Sequence, residues 1–313
     1  MPLLLVRGGE CRDSGSYCCR DLAVCIQLAI VKPAIFDYHA PAALAEAVAL
    51  LAEAGPEGRI LGGGQSLVPM MNFRIASPAV LIDLAHVPGL DAVSVDPDGS
   101  LVIGATATQS RVLAAPETAG WPLLRDAITY IGHPQIRNRG MVCGSLAHHD
   151  PAAELPAVAV ALDAELTLIG QDGSRTVPAA EFFVSHYETS IRQGEIVASV
   201  RFPARPVVEG WGFAEFARKH GDFALVGAAA TASSDGVRLV LFGIDERPRR
   251  LHEVEAALVD GGFTQAALAE ALASLPDLIH PMDDSRGSAE FRRDVAVEMS
   301  RVALLDCQER LHA

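Results

Sequence analysis

The chain has 313 residues, half of them hydrophobic and 20% charged, a composition that excludes wholesale disorder and a length that favours two domains. Its 39 acidic residues exceed its 25 Lys and Arg residues and give a formal net charge of −14, which disfavours binding to nucleic acids and anionic membranes. No apolar run reaches the ~18 residues that a transmembrane helix needs, so the sequence predicts an acidic, soluble, globular protein.

The first thirty residues are unusual because they hold four of the six cysteines: Cys11, Cys18, Cys19 and Cys25. Such a cluster could form a metal site or disulfides, but its spacing matches no metal-ligand pattern with a second pair downstream. The apolar stretch 22–31 lacks the basic region and the cleavage site of a secretion signal. We therefore expect residues 1–30 to be a disordered extension. The two remaining, isolated cysteines favour a reducing cytoplasm.

Short elements are predicted from residue 31 to residue 205. Leu44, Val48 and Leu51 recur at helical spacing before Gly55, which is typical of a helix end. Residues 96–99 carry a turn signature between two apolar runs and predict a hairpin. The predicted helices are 41–54, 121–130 and 155–162, and the predicted strands are 59–61, 80–84, 90–95, 101–104, 165–169, 176–177 and 196–202.

Pro203, Pro206 and Gly210 indicate a linker before the last third of the chain. Strands are predicted beyond it at 212–217, 224–232 and 237–244, and helices at 253–258, 265–275 and 288–310. Because these strands are followed by helices and do not alternate with them, the predicted fold class is α+β.

A first glycine loop follows the strand that ends at Leu61 and reads Gly62-Gly63-Gly64-Gln65-Ser66. Glycines let backbone amides converge on an anionic oxygen, and the Ser66 hydroxyl could add a donor. The loop matches neither a P-loop nor the G-x-G-x-x-G pattern. Taken alone, it is equally consistent with a tight structural turn.

A second loop extends over residues 136–156 and passes through two glycines to a helix start. Arg137 and Arg139 could compensate phosphate charge, and Glu154 could accept hydrogen bonds from ribose hydroxyls. The run His148-His149-Asp150 offers zinc-type ligands, but adjacent side chains seldom point at one ion, so we expect no metal there.

The two loops, about 75 residues apart, and the phrase RNRG…GSLAHHDPAAELP resemble the FAD-binding medium subunits of molybdenum hydroxylases. That family includes carbon monoxide dehydrogenase and the xanthine dehydrogenases, and the resemblance covers residues 32–313. It implies a two-lobed FAD-binding domain of the vanillyl-alcohol oxidase/PCMH type at residues 31–205. A small C-terminal domain of antiparallel sheet plus helices is implied at residues 211–313.

The resemblance also implies which residues contact FAD, whereas no catalytic residue is expected in this chain. The first loop matches a pyrophosphate loop that usually reads Ala-Gly-Gly-His/Gln-Ser, and 141–144 match one that usually reads Thr-Ile-Gly-Gly. Met141 here replaces a hydroxyl donor and Cys143 replaces a glycine. Backbone donors survive such a change, so we expect Cys143 to point away from the flavin, with a redox thiol as the alternative. The implied FAD-contacting residues are Ile60, Leu61, Gly62, Gly63, Gly64, Gln65, Ser66, Leu67, Ala105, Thr106, Gly140, Met141, Val142, Cys143, Gly144, Ser145, His148, Glu154, Lys219 and Phe223.

The function that the resemblance implies is electron transfer within a hetero-oligomer. FAD would take electrons from [2Fe-2S] clusters of a small partner subunit and deliver them to an external acceptor, while a large partner subunit with the molybdopterin cofactor oxidises the substrate. Gln65 stands where covalent relatives often carry His, so non-covalent binding is expected. The alternatives are a free-standing FAD oxidoreductase of the PCMH superfamily and a ligand-binding protein without redox chemistry.

Overall fold

In the computed structural model, which describes residues 32–205 and 209–311, the strands and helices form three successive groups. The extension expected at residues 1–30 lies outside the described residues. The elements of the first group are β1 (Asp37–His39), α1 (Leu44–Ala54), β2 (Gly58–Leu61), α2 (Leu67–Asn72) and β3 (Val80–Asp83).

The first group is a small parallel sheet covered by one helix. Its strands lie in the order β1-β3-β2, with Leu61 at the end of β2 paired to Asp83 at the end of β3. Helix α1 buries Val48 and Leu51 beside the sheet and ends at Gly55, whose φ of 56° is the left-handed conformation that glycine adopts most readily. The carboxyl ends of the parallel strands β2 and β3 therefore meet at one edge.

The second group contains a five-stranded antiparallel sheet, a two-stranded hairpin and most of the short helices. Its elements are β4 (Val93–Val95), β5 (Leu101–Gly104), α3 (Gln109–Ala114), α4 (Pro122–Tyr130), α5 (Pro134–Arg137), α6 (Val142–His148), α7 (Glu154–Ala161), β6 (Glu165–Gly170), β7 (Gly173–Pro178), α8 (Ala179–Phe182), β8 (Phe183–Ser185), β9 (Glu188–Thr189) and β10 (Ile196–Phe202). The sheet order is β4-β5-β10-β6-β7, and β8 pairs with β9. Helix α7 is buried along its whole length.

The third group is a four-stranded antiparallel sheet, β11-β12-β13-β14, with helices on one face. Its elements are β11 (Gly210–Phe216), β12 (Val226–Ser233), β13 (Gly236–Phe242), β14 (Arg249–Arg250), α9 (His252–Asp260), α10 (Gln265–Ala273), α11 (Leu275–Leu278) and α12 (Ala289–Leu311). Helix α12 packs directly on β11. The two backbones are so close that a Cβ on Gly212 would overlap the carbonyl oxygen of Ala303.

The other face of this C-terminal sheet packs against the second group. Phe213, Val240 and Phe242 belong to the same buried cluster as the core of the second group, and the ring of Phe213 lies 5.0 Å from that of Tyr130. Helices α4 and α7 contact the sheet here. We call this contact, between α4 and α7 on one side and the C-terminal sheet on the other, the junction.

The α+β prediction is confirmed, and most predicted elements occur within a few residues of their expected positions. One clear miss is α6, because the sequence suggested a loop there. Its buried face consists of Val142, Cys143 and Leu146. Because Gly144 and Ser145 on the accessible face are poor helix formers, the sequence pattern does not predict a helix here. Gly210, which the sequence predicts to lie in the linker, instead opens β11.

Candidate functional site

The two glycine loops, far apart in sequence, touch each other in the structure. The first leaves the carboxyl end of β2, and the second enters α6. A Cβ on Gly63 would overlap the carbonyl oxygen of Arg139, so only glycine permits this approach of two backbones. Gly64, with φ of 72°, supplies the left-handed turn of the first loop. A bridge between Thr108 and Met141 anchors the second loop.

The loops form one side of a surface cleft of about 560 Å³, hereafter the cleft. Six residues implied by the resemblance line it: Leu61, Gly62, Gly63, Gly64, Gln65 and Met141. The others that line it are Val68, Pro69, Asn72, Asp83, Ala85, Thr108, Asn138 and Arg139. Asp83 lies at the end of a predicted strand, but only the parallel pairing of β2 with β3 brings it to the edge where ligands commonly bind. Nothing in the local sequence singles out Val68 or Asn72.

The first loop offers free hydrogen-bond donors to the cleft. Within the part of the chain that the structure describes, none of the backbone amides of residues 62–66 donates a hydrogen bond to another residue. The amide nitrogen of the Gln65 side chain donates to the carbonyl oxygen of Gly63 at 3.1 Å and so folds back on the loop. Free amides without a Cβ in front of them suit the oxygens of a diphosphate. The cleft therefore fits the phosphate portion of FAD.

The two arginines of the second loop have different surroundings. Arg139 is exposed and lines the cleft, where its guanidinium can pair with an anion. Arg137 instead donates to the carbonyl oxygens of Ile131 and Gly132, at 2.9 and 3.0 Å, beyond the end of α4. Of the two candidates for phosphate compensation, only Arg139 lines the cleft.

Cys143 lies in the core and not in the cleft. Its Sγ is 3.6 Å from the carbonyl oxygen of Ile103 and 3.8 Å from that of Gly104. Burial raises the pKa of this thiol to about 12, so it stays protonated and unreactive at neutral pH. The side chain of Cys143, in place of a glycine, is thus accommodated on the buried face of α6.

The remaining residues implied by the resemblance lie outside the lining of the cleft. Gly144 is on the exposed face of α6, and Ser145 and His148 are half-buried. Neither Gly63 nor Gly144 has a positive φ. The residues outside the lining are Ile60, Ser66, Leu67, Ala105, Thr106, Gly140, Val142, Cys143, Gly144, Ser145, His148, Glu154, Lys219 and Phe223.

Several of these residues lie near the junction. The loop that carries Lys219 and Phe223 contacts the second group, since a Cβ on Gly221 would lie 2.9 Å from Cε1 of His133. Phe223 is 58% exposed. Glu154 opens α7 and is buried, and this burial raises its pKa to about 7. A carboxyl group with such a pKa is typical of functional sites, although structural positions also produce it.

The histidine run does not form a metal site. His149 is buried with φ of 47°, and its Nδ1 lies 2.9 Å from the carbonyl oxygen of Glu188. The ring of His148 instead lies 5.2 Å from that of Tyr187. Residues 32–205 and 209–311 contain no group of three or more His, Cys, Asp or Glu side chains that could hold a metal ion. No helix in these ranges is long and apolar enough to span a bilayer.

Comparison with known proteins identifies both parts of the chain. Residues 34–205 match the family described as FAD binding domain in molybdopterin dehydrogenase, and residues 211–307 match the CO dehydrogenase flavoprotein C-terminal domain. The chain is 38% identical to the 6-hydroxypseudooxynicotine dehydrogenase complex subunit alpha of Paenarthrobacter nicotinovorans, over 85% of this chain and 92% of that protein. It is 35% identical to the carbon monoxide dehydrogenase medium chain of Hydrogenophaga pseudoflava, over 87% and 96%.

Solved structures agree with these matches. A chain of carbon monoxide dehydrogenase from Hydrogenophaga pseudoflava, in a form that lacks the Mo-pyranopterin moiety of the molybdenum cofactor, superimposes with a TM-score of 0.85 and 36% identity. The match covers 89% of this chain and 99% of that one. A chain of quinoline 2-oxidoreductase from Pseudomonas putida 86 gives a TM-score of 0.84 and 34% identity, with coverage of 90% and 99%.

Proposed function

Because this chain belongs to the FAD-binding medium subunits of molybdenum hydroxylases, we propose that it passes electrons from iron–sulfur clusters of a small partner subunit to an external acceptor. It is an oxidoreductase subunit, and a large partner subunit with the molybdopterin cofactor would oxidise the substrate. Within the proposal, residues 31–205 are the FAD-binding domain and residues 211–313 the C-terminal domain.

One observation carries the assignment of the cofactor site. The Gly63 backbone contacts that of Arg139, and this contact brings the free amides of the first loop and residue Arg139 to the same cleft. Backbone donors together with one cation are the usual means of binding a diphosphate. FAD carries a diphosphate and FMN a single phosphate, so the cleft favours FAD.

The residues of this chain bind and orient the cofactor, and FAD supplies the redox chemistry when bound. The first loop and Arg139 hold the phosphates in the proposal. Helix α6, about 10 Å long, starts next to Met141 in the cleft and runs toward His148 and the junction. In the proposal, the flavin ring lies beyond the C-terminal end of α6, at the loop that carries Lys219 and Phe223. Gln65 offers no nucleophile for a covalent link.

A direct test is electron transfer that does not require knowledge of the substrate. The FAD-loaded full chain is mixed anaerobically with the small iron–sulfur subunit of its proposed complex, after photochemical reduction of the clusters. We expect the absorbance of oxidised flavin to be lost as the clusters reoxidise. An assembled complex in which the clusters stay reduced and the flavin stays oxidised would contradict the proposal.

A second measurement separates a subunit from a free-standing oxidoreductase. The chain alone and the chain co-expressed with both partners are assayed for dye reduction with carbon monoxide, caffeine, nicotine and glyceraldehyde, the compounds in the names of its relatives. We expect turnover only from the complex. Turnover by the chain alone, at the rate of the complex, would favour the free-standing oxidoreductase.

A further inference from the structure

Two carboxyl groups from distant parts of the sequence lie at the junction, where the amide of Gly243, directly after β13, donates to the carbonyl oxygen of Pro151, just before α7, at 2.9 Å. Glu154, only 7% exposed, opens α7, and Glu215 is half-buried near the end of β11. The Oε2 atom of Glu215 is fully buried and has no hydrogen-bond partner among the described residues. Among the described residues, no group of another residue donates a hydrogen bond to the carboxyl group of Glu154.

The register of the C-terminal sheet determines where Glu215 points. Alternate side chains of a strand share a face, so Glu215 shares the face of Phe213, which packs on Tyr130 of α4. Gly227 is paired with Glu215 on the adjacent strand, and the ring of Phe242 fills the space where a Gly227 side chain would be. The carboxyl group of Glu215 is therefore directed into the apolar junction.

The pair has no basic partner. None of the ion pairs among residues 32–205 and 209–311 includes Glu154 or Glu215. The titratable groups that face the pair are Tyr130 on α4 and Asp150 before α7, and Tyr130 also faces Asp126, Asp306 and Arg310. Across the sheet, Gly227 and then Phe242 are the residues in register with Glu215. Burial raises the pKa of Glu154 to about 7, and burial together with the charge of Glu154 raises that of Glu215 to about 8. Two buried carboxylates without a cation retain a proton between them.

We propose that Glu154 and Glu215 hold one proton between them at neutral pH, and that Glu215 is a positioning residue that keeps Glu154 competent to bind the hydroxyl groups of FAD. The inference rests on the proposed function, since it requires FAD to extend from the cleft to the junction. A singly protonated pair has one donor and several acceptors and bears one negative charge. Removal of that proton leaves two adjacent anions beside a ligand that is itself anionic, and FAD binding weakens.

The experiment measures the Kd of FAD for the full-length chain from about pH 6 to about pH 9 by quenching of flavin fluorescence. For the wild type we expect Kd to increase at pH values above those at which the pair loses its proton. The increase can reach tenfold per pH unit, the limit for one linked proton. In Glu215→Gln, which mimics the protonated group, the rise should be absent. The exposed Glu181→Gln is the matched control and should keep the wild-type profile. A Glu215→Gln profile that follows the wild type would overturn the inference.

A measurement on the unaltered protein keeps the inference testable if Glu215→Gln fails to fold. The infrared spectrum of the FAD-loaded chain should contain a protonated carboxyl band at pH 7 that disappears toward about pH 9. The absence of such a band at pH 7 would overturn the inference. A chain that binds no FAD at any pH contradicts the proposed function itself, whereas tight FAD binding that does not depend on pH contradicts only the role of the pair.

Discussion

The two ends of the proposed FAD site are built in different ways. At the cleft, contacts depend on backbone geometry, because Gly63 allows two loops to touch and the amides of residues 62–66 stay free. At the junction, the site depends on the buried residue Glu154 and on Glu215, whose Oε2 atom is buried, held by packing between elements from two parts of the chain.

The difference between the two ends predicts which substitutions should change FAD binding at every pH and which should have an effect that depends on pH. Binding at the cleft uses amides and a guanidinium, which do not titrate near neutral pH, so changes there should act equally at all such pH values. The junction contains groups with a pKa of about 7 and about 8, so changes there should have effects that depend on pH. The following changes test this contrast, beginning with the largest expected effect.

Gly63→Val should weaken FAD binding about 100-fold or more, equal to ~2.7 kcal/mol, because its side chain would separate the two loops. It should also lower the melting temperature of the apoprotein. Gly144→Val is the comparison for the stability of the apoprotein. A Cβ at this position makes only ordinary contact, 3.5 Å from the Cβ of Met141, so the melting temperature should not change. Gly120→Val, with open space around it, is the control. A Gly63→Val protein with normal Kd and melting temperature would contradict the account of the cleft.

Glu215→Gln should stabilise the apoprotein at alkaline pH by on the order of 2 kcal/mol and have little effect near pH 5. The folded pKa is raised to about 8 from an unfolded value near 4.5, so the folded state holds a proton that the unfolded state has lost. The free energy of unfolding of the wild type therefore falls as the pH rises through this window. Urea unfolding at both ends of the window measures the effect, and equal stabilisation at both would argue against a shared proton.

Arg139→Gln should raise the Kd of FAD about tenfold, or ~1.4 kcal/mol, because one charge-assisted bond to a phosphate is lost. The melting temperature should not change, since Arg139 is exposed. Arg137→Gln is the matched control. It should lower the melting temperature and leave the Kd of FAD unchanged, because Arg137 donates to the carbonyl oxygens of Ile131 and Gly132. If both variants lost FAD equally, the cleft would not be the phosphate site.

Cys143→Ser should have the smallest effect, a loss of stability of about 1 kcal/mol or less with unchanged FAD content. The Cys143 thiol is buried with its pKa near 12, and a serine hydroxyl can donate to the nearby carbonyl oxygen of Ile103. Thermal unfolding and the flavin-to-protein absorbance ratio check the result. Loss of electron transfer with FAD still bound would favour a redox role for this cysteine.

The same contrast explains which parts of the site the sequence could predict. The loop at residues 62–66 can be recognised locally, because consecutive glycines after a strand suit either anion binding or a tight structural turn. Asp83 and Thr108 carry no such signature, since only the parallel pairing of β2 with β3 and the bridge to Met141 bring them to the cleft. Glu215 is in an otherwise ordinary strand, and its meeting with Glu154 depends on the register of β11 and on the junction.

The fold was more predictable than the junction for the same reason. Helix α1 and the hairpin around residues 96–99 follow from local periodicity and turn residues. Helix α6 was missed because its apolar face is short and its accessible face contains Gly144, a poor helix former. Tertiary burial of Val142, Cys143 and Leu146 stabilises this helix, and local propensity does not reveal it.

The most direct test of the central claim is titration of the purified apoprotein with FAD and, in parallel, with FMN. The account predicts one FAD per chain, release of the yellow chromophore into the supernatant on acid precipitation, and much weaker binding of FMN, because a diphosphate fills the cleft between the first loop and Arg139. FMN binding as tight as that of FAD, or colour that stays with the precipitated protein, would contradict it.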